Sequence, residues 1–226
     1  MHTNPVAVIA TYNEADTIPV ILHKLRIPAI VVDDNSRDKT GVLAESCGAE
    51  VIHRPWKMGI ASAYVTGMKH ALDRGYDPIV QMDAGGTHRP EDAHSMLRHA
   101  KAWYCDLVIG SRFKGGYEPQ GYRTLISRGA AVLMALADVY VEDATSGFRV
   151  WRSNLLQEVL SKPVKSEGFA FQLELLYRAA CADRVTRIYE FPIEYRLTNS
   201  SFRPSMVLEA LRVWGGIYVD HIRNHS

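Results

Sequence analysis

Four acidic residues stand close to the ends of predicted strands. Asp33 and Asp34 end one short apolar run, Asp83 ends another, and Glu14 lies in the loop after the first run. Because the carboxyl ends of parallel strands meet at one edge of a sheet, we expect these carboxylates to lie close together. Grouped carboxylates suit the hydroxyls of a ribose, the donor groups of a nucleobase or a divalent ion. Taken singly, Asp34 could only cap a helix and Asp83 only end a strand, but their shared edge favours a ligand site.

A second group of charged residues is basic. Arg112, Lys114, Arg123 and Arg128 fall in one short segment that contains a single acid. Such a segment is usually a solvated face, but this one follows a predicted strand beside the expected crevice, which favours an anion-binding role. Arg149 is a further candidate for the same role.

His88 lies soon after Asp83 and is a candidate metal ligand or phosphate partner, although a single histidine near a turn is more often solvated. No Gly-x-Gly-x-x-Gly motif follows the first strand, and no P-loop motif occurs in the sequence. These absences argue against a nicotinamide dinucleotide site and against a P-loop nucleotide site.

The elements that must position these residues alternate along the chain. Apolar runs predict five strands in the first half, at residues 6–10, 29–32, 50–53, 78–82 and 107–109. Amphipathic segments between them predict helices, so we expect an α/β fold with a mostly parallel sheet and helices on both faces. The second half adds two strand patterns, at 147–152 and 187–196. It also adds three helical patterns, at 123–137, 169–182 and 204–223.

Length and composition fit a single domain, with 226 residues of which 47% are hydrophobic and 23% are charged. A net charge of +1 gives no global field toward nucleic acid or an anionic membrane. The cysteines Cys47, Cys105 and Cys181 are predicted to be buried, reduced thiols. No secretion signal is visible, and the longest apolar stretch, 129–137, is too short to span a bilayer. We therefore expect a cytoplasmic protein.

Six motifs occur in the order seen in family 2 glycosyltransferases. They are Thr11-Tyr12-Asn13-Glu14, Val32-Asp33-Asp34-Asn35-Ser36, Met82-Asp83-Ala84, Gly110-Ser111-Arg112, Thr145-Ser146-Gly147-Phe148-Arg149 and Gly168-Phe169-Ala170-Phe171-Gln172. Over residues 6–200 the chain resembles this family, and within it most closely the branch of dolichol-phosphate mannose synthases and polyprenyl-phosphate glycosyltransferases. The resemblance implies a single domain of GT-A (Rossmann-like) fold, a nucleoside-diphosphate sugar as donor, and inverting transfer, with a polyprenyl phosphate as the preferred acceptor.

The resemblance also implies roles for individual residues. The nucleotide sugar would be bound by Thr11, Tyr12, Glu14, Asp33, Asp34, Asp83 and Ala84. The acceptor or a phosphate would be held by Arg112, Arg123, Arg128, Arg149 and Arg203. The predicted catalytic residues are Asp83, Arg112, Asp143 and Arg149. A phosphate acceptor is already an anion and needs no strong base, so Asp143 would act as a general base only if the acceptor were a hydroxyl.

The domain is predicted to divide near residue 110. Residues 1–110 would bind the nucleotide sugar, residues 111–203 would bind the acceptor, and residues 204–226 would form a C-terminal helix. The apolar stripe of that helix predicts packing into the core. Docking on a membrane surface or a partner is the alternative, and peripheral membrane association would follow from it.

One departure from the family pattern concerns a metal ion. The family reads Asp-x-Asp, in which the second acid helps to bind Mg²⁺ or Mn²⁺, whereas this chain has Gly85 at that position. Asp83 remains as a candidate ligand, with His88 as a weaker one, because such ions keep several waters. Arginines in place of the metal are the alternative, so the sequence leaves metal dependence open.

Two other functions remain open. The same donor chemistry could serve a hydroxyl acceptor on a glycan, a small molecule or a modified base in DNA, and nucleic acid enters only in that case. Gly85, the altered loop around Arg203 and the absence of a transmembrane tail favour this alternative. The other alternative is a non-catalytic nucleotide-sugar-binding protein whose metal site has decayed at Gly85.

Overall fold

The computed structural model describes residues 4–116, 122–183, 185–195 and 205–225, without the side chains of 122–125, 205–207 and 224–225. Seven strands form one sheet in this part of the chain: β1 (Val6–Thr11), β2 (Ala29–Asp33), β3 (Glu50–His53), β4 (Ile79–Asp83), β5 (Leu107–Ser111), β6 (Arg149–Trp151) and β7 (Ile188–Pro192). The helices are α1 (Ile18–Leu25), α2 (Thr40–Ser46), α3 (Ile60–Asp73), α4 (Pro90–Ala102), α5 (Tyr122–Ala135), α6 (Ser153–Val159), α7 (Phe171–Ala180) and α8 (Ser205–His225).

The sheet is mostly parallel, as predicted. Its strand order is β3-β2-β1-β4-β6-β5-β7, and only β6 runs antiparallel to its neighbours β4 and β5 among the described strands. The other paired strands are joined through helices, which is the connection that parallel pairing requires. The predicted α/β architecture is therefore confirmed.

The register of the central strands makes their carboxyl ends level. β1 lies between β2 and β4, with Thr11 opposite Asp33 and Ala10 opposite Asp83. The chain leaves the sheet at the same height on three adjacent strands. Residues that follow these strands therefore share one edge, where polar groups can face solvent without loss of backbone pairing.

Helices cover both faces of the sheet, as predicted. Successive residues of β1 serve opposite sides, because Val6 and Val8 pack with α3 while Ala7 and Ile9 pack with α1, α2 and α4. A strand that is buried on both faces needs a continuous apolar sequence, and β1 has one. The core is thus two apolar layers that the sheet separates.

Several predictions about particular elements need correction. α6 was not predicted, because seven residues are too short to reveal a helical period. Cys105 is buried, but Cys47 and Cys181 are exposed at the helix ends after α2 and α7, so the burial prediction is wrong for these two. All three are free thiols, as predicted.

The C-terminal helix α8 packs less deeply than its stripe predicts. Ile217 is buried, and the Trp214 indole donates a hydrogen bond of 2.7 Å to the carbonyl of Leu133 on α5. Leu208 and Ile222 are exposed, so the prediction of a core stripe holds only in part. In the described ranges, none of the helices combines the length and the hydropathy that crossing a bilayer would require.

A close backbone contact joins the chain after β5 to the chain after β7. A Cβ atom on Gly115 would lie 1.8 Å from the carbonyl oxygen of Ile193, so only glycine fits there. The Ile193 amide donates to the carbonyl of Ser111 at 3.2 Å. The two segments therefore leave the sheet from a shared point of contact.

Gly67 provides a test of the packing of α3 on the sheet. A Cβ atom there would lie 2.6 Å from Val8 Cγ1 and 2.8 Å from Val32 Cγ2. We expect Gly67→Ala to lower the free energy of unfolding by about 1–3 kcal/mol in urea denaturation, because the extra methyl overpacks the interface. The control is Gly129→Ala in α5, where the added methyl meets nothing within 4 Å among the described residues. Equal stability of Gly67→Ala and the wild type would contradict the described packing.

Candidate active site

Asp34 follows directly after β2, at the carboxyl edge of the sheet. Its buried carboxylate accepts hydrogen bonds from the amides of Met58 and Gly59, at 2.8 and 2.9 Å, and lies 3.3 Å from Arg54 Nη1. The Asp34 amide in turn donates to the carbonyl of Thr11 at 2.9 Å. Asp34 therefore fixes the loop before α3 against the end of β1.

Tyr12 forms an open face of this edge. The ammonium of Lys57 lies 3.5 Å from the centroid of the Tyr12 ring, which is a cation–π contact. An aromatic ring beside a cation offers a stacking surface and a positive charge to a planar, anionic ligand. Lys57 and Arg54 were not predicted, because they come from the loop after β3 and their approach depends on the fold.

The Asp33 carboxylate binds the loop that follows β2 and does not line the expected crevice. Its carboxylate accepts hydrogen bonds from the amide and the hydroxyl of Ser36 and lies 3.7 Å from His53 Nδ1. A Cβ atom on Gly41 would approach Asp33 Oδ2 to 2.8 Å, so this carboxylate is directed beneath α2. The structure does not place Asp33 with the other candidates, because neighbouring residues at a strand end point to opposite sides.

Glu14 and Ala84 meet through Thr17. The Thr17 hydroxyl donates to the carbonyl of Ala84 at 2.7 Å and lies 3.2 Å from a carboxylate oxygen of Glu14. Burial and the negative charges of Asp38 and Asp83 raise the pKa of Glu14, against the lowering effect of the Thr17 hydroxyl. Glu14 is thus held beside the turn that follows β4.

The Asp83 carboxylate is held by Tyr64, which was not among the predicted site residues. The buried Tyr64 hydroxyl donates to Asp83 Oδ1 at 2.6 Å, and its ring stacks on Phe171. Burial, and then the charge of Asp83, raises the pKa of Tyr64, so the phenol stays a hydrogen-bond donor. A Cβ atom on Gly147 would lie 3.1 Å from Asp83 Oδ2, so glycine keeps that side of the carboxylate uncrowded.

His88 is buried rather than solvated. Its ring lies between those of Phe148 and Tyr195, with centroid distances of 5.0 and 5.7 Å. Nδ1 is 3.9 Å from Asp83 Oδ2 and has no hydrogen-bond partner among the described residues. Burial lowers the pKa of His88, which favours the neutral ring at pH 7. A neutral, unpartnered nitrogen faces Asp83.

Beyond the end of β5, Asp143 is fully buried and serves as the partner of Arg112. Its carboxylate accepts hydrogen bonds from the backbone amide, Nε and Nη2 of Arg112, at 2.9, 2.8 and 2.6 Å. Burial opposes the charge of Arg112, but the hydrogen bonds and charge of Asp143 raise the pKa of that guanidinium overall. The burial of this carboxylate and its pairing with Arg112 favour a positioning role for Asp143 over the predicted general base.

Arg149 also holds the backbone. Its fully buried guanidinium donates to the carbonyls of Ser146, Gln172 and Ala144 at 2.9, 3.0 and 2.8 Å. Burial lowers the pKa of Arg149 to about 9, an effect that the charge of Asp143 only partly offsets. These contacts favour a positioning role for Arg149 over the direct phosphate contact that was predicted.

Arg128 is exposed beside a groove of about 440 Å³. The groove lies between α5 and the segment before Asp143, and most of its lining is apolar, including Phe113, Val132 and Val141. No carboxylate in the described ranges forms a salt bridge with Arg128. The side chain of Arg123 and the whole of Arg203 lie outside the described part, so their predicted roles stay predictions.

Comparison with known proteins shows the family of the chain. Residues 6–160 match the family model for glycosyl transferase family 2. The chain belongs to glycosyltransferase family 2. It is 34% identical over 223 residues to an undecaprenyl-phosphate mannosyltransferase of Micrococcus luteus, which covers 91% of this chain and 90% of the relative. It is 32% identical over 233 residues to a polyprenol monophosphomannose synthase of Mycolicibacterium smegmatis, with coverage of 93% and 86%.

Solved structures with the same fold include glucosyl-3-phosphoglycerate synthase from Mycobacterium tuberculosis. Its complex with UDP has a TM-score of 0.75 at 17% identity and covers 96% of this chain and 80% of that one. Its complex with Mn²⁺ and UDP-glucose has a TM-score of 0.72 at 17% identity, with coverage of 93% and 76%. The likeness places this family 2 glycosyltransferase in the GT-A fold, and the predictions of family, fold and enzyme class are confirmed.

The residues around Asp83 fit a divalent cation in part. In the described ranges, no group of three or more His, Cys, Asp or Glu is already closed around one point. Asp83 is nevertheless partly exposed, and its Oδ2 lies 3.9 Å from the Nδ1 of His88, which has no partner among the described residues. Oxygen ligands and a neutral imidazole are chemically suited to Mn²⁺, and a diphosphate would supply further oxygens. Divalent metal use is thus plausible for this family 2 glycosyltransferase.

The Arg112–Asp143 pair can be tested by stability. We expect Asp143→Asn to lower the free energy of unfolding by about 3–5 kcal/mol in urea, because it leaves Arg112 without its buried partner charge. The matched control is the neighbouring Glu142→Gln, whose side chain is 61% exposed and should leave stability within about 0.5 kcal/mol of the wild type. Equal stabilities of the two variants would show that the described pair does not form.

Proposed function

We propose that this glycosyltransferase moves a sugar from a nucleoside-diphosphate sugar to a polyprenyl phosphate, with inversion at the anomeric carbon. The main support is that the carboxylate of Asp143 is buried and paired with Arg112. A hydroxyl acceptor needs a base for its proton, whereas a phosphate monoester is already an anionic nucleophile. Asp143, the predicted base, is buried and bound to Arg112, so the acceptor side fits a phosphate better than a hydroxyl.

The relatives support the same acceptor class. Their names, undecaprenyl-phosphate mannosyltransferase and polyprenol monophosphomannose synthase, both describe transfer of mannose to a polyprenyl carrier. Each alignment covers about nine-tenths of this chain, including both halves of the domain. We therefore favour mannose as the transferred sugar, while the base of the donor stays open.

The groove beside Arg128 supports an amphiphilic acceptor. Its apolar lining suits an isoprenoid chain, and the guanidinium of Arg128 at its side suits the phosphate. The exposed side chains of Val132, Leu136 and Tyr140 lie close by in sequence and would contact the membrane in which such a lipid is held. We propose that the protein works as a peripheral protein at the cytoplasmic face of that membrane.

The donor is proposed to bind along the edge formed by β1, β2 and β4. The base would stack at Tyr12 and Lys57, while Asp83 and the backbone at Ala84 would lie at the ribose and diphosphate. The phosphate oxygen of the acceptor would attack the anomeric carbon as its bond to the diphosphate breaks, releasing a nucleoside diphosphate. A divalent ion, when bound at Asp83, would neutralise the charge that develops on that leaving group. Arg112 would hold the attacking phosphate in line.

The transfer reaction tests the proposal directly. Purified protein is incubated with undecaprenyl phosphate and, in turn, with GDP-mannose, UDP-glucose and other labelled nucleotide sugars. We expect one donor to give a lipid-linked sugar whose anomeric configuration, determined by NMR, is opposite to that of the donor. Transfer to a free hydroxyl on a glycan, a small molecule or a hydroxymethylated DNA base, but not to the lipid phosphate, would establish the hydroxyl alternative. Donor binding without transfer to any acceptor would establish a non-catalytic binder.

Arg128 provides a test of the acceptor site. We expect Arg128→Ala to raise the KM for undecaprenyl phosphate by about 10- to 100-fold, because one charge-assisted hydrogen bond is lost, while the KM for the donor stays unchanged. The matched control is Arg98→Ala on α4, where the guanidinium contacts Ser95 far from the groove. An unchanged KM for the lipid in Arg128→Ala would remove Arg128 from the acceptor site.

A further inference from the structure

The position of the absent second acid is open to a side chain. The φ of Gly85 lies outside the left-handed region that favours glycine. A Cβ atom on Gly85 would meet only Glu14 among the described residues, with Oε1 at 3.6 Å, an ordinary van der Waals distance. Neither backbone conformation nor packing therefore requires glycine at this position. The nearest atom to the missing side chain is itself a carboxylate oxygen.

Glu14 is held at this place from two directions. Thr17 links its carboxylate to the carbonyl of Ala84, the residue between Asp83 and Gly85. The Glu14 amide donates to the hydroxyl of Thr40 at 2.8 Å, which fixes the backbone that presents the side chain. A carboxylate from the first loop thus occupies the space beside the turn after β4.

A second observation points to a cation beside Asp83. His88 is 4% exposed, and its Nδ1 faces Asp83 Oδ2 at 3.9 Å without a hydrogen-bond partner among the described residues. A buried polar atom without a partner is costly, and a ligand that accepts its lone pair would remove that cost. Asp83 Oδ1 is occupied by Tyr64, so the oxygen nearer to His88 is the one available.

We propose that Asp83, Glu14 and His88 together hold a divalent cation, with Glu14 supplying the second carboxylate that residue 85 lacks. The three groups are not closed around one point in the free protein, so the cation would keep waters or take diphosphate oxygens in its remaining positions. This proposal extends the proposed function. The role of the ion at the donor diphosphate rests on that function. The mixed oxygen and nitrogen ligands favour Mn²⁺ over Mg²⁺, which prefers oxygen ligands alone.

Mn²⁺ binding to the full chain, without donor or acceptor, tests the site. Free Mn²⁺ is measured by its EPR signal during titration of the wild type and of the variants Asp83→Asn, Glu14→Gln and His88→Phe. We expect each variant to raise the Kd for Mn²⁺ by at least about tenfold, because each removes a direct ligand. The matched control is Glu91→Gln, a half-exposed acid in the first turn of α4 that contacts Lys24, and it should bind Mn²⁺ as the wild type does.

A double variant gives the sharper result. We expect Gly85→Asp in the Glu14→Gln background to restore Mn²⁺ affinity, because it returns a carboxylate to the same space from the other side. Gly85→Asp alone should bind Mn²⁺ at least as tightly as the wild type, which keeps the test valid if Glu14→Gln does not fold. Circular dichroism identifies folded variants.

Three results would overturn the proposal. They are wild-type Mn²⁺ affinity in Glu14→Gln, no rescue by Gly85→Asp, and no Mn²⁺ binding by the wild type. Because no sugar or lipid is present in the titration, failure of the metal site is distinguishable from failure of the proposed transfer, which the lipid assay reports.

Discussion

The parallel pairing of β1 with β2 on one side and β4 on the other is the constraint on which the whole site depends. Residue pairs in this register bring Thr11 level with Asp33 and Ala10 level with Asp83. The loops that follow β1, β2 and β4 therefore begin at the same edge of the sheet and lie close to one another. Because β1 is buried on both faces, a shift by one residue would exchange the side chains that pack with α3 and those that pack with α1, α2 and α4, and the resulting mismatch in packing disfavours any other register.

The region proposed to bind the acceptor depends on a different kind of interaction, the buried pairing of charge. Asp143 holds Arg112, and Glu190 accepts hydrogen bonds from the amides of Glu142 and Asp143 that precede the next turn. Burying such groups is favourable only when their hydrogen bonds are satisfied. The contacts keep a cation rigid near the surface, where an anionic acceptor can meet it. The two sides of the site thus combine backbone register with charge pairing.

Much of this architecture could be predicted from the sequence. Strands and helices with a strong period were correct, and parallel topology brings the carboxyl ends of β1, β2 and β4 to one edge of the sheet. The sequence did not reveal that Asp33 turns away from this edge while Asp34 and Asp83 lie along it. Contacts between distant segments could not be predicted. Tyr64 was not predicted as a site residue, because only the packing of α3 on the sheet brings its hydroxyl to Asp83. Arg149 was predicted to bind a phosphate, and the sequence does not reveal that its guanidinium donates to the backbone carbonyls of Gln172 and Ala144.

The contact between Gly115 and Ile193 bears on how such a protein can change during evolution. A Cβ atom at residue 115 would overlap the backbone of Ile193, so any larger residue would push apart the segments that follow β5 and β7. The Ile193 amide donates to Ser111 in the same region, so this displacement would also disturb the ends of the two paired strands. Selection at this position therefore acts on the absence of a side chain and not on any chemical group.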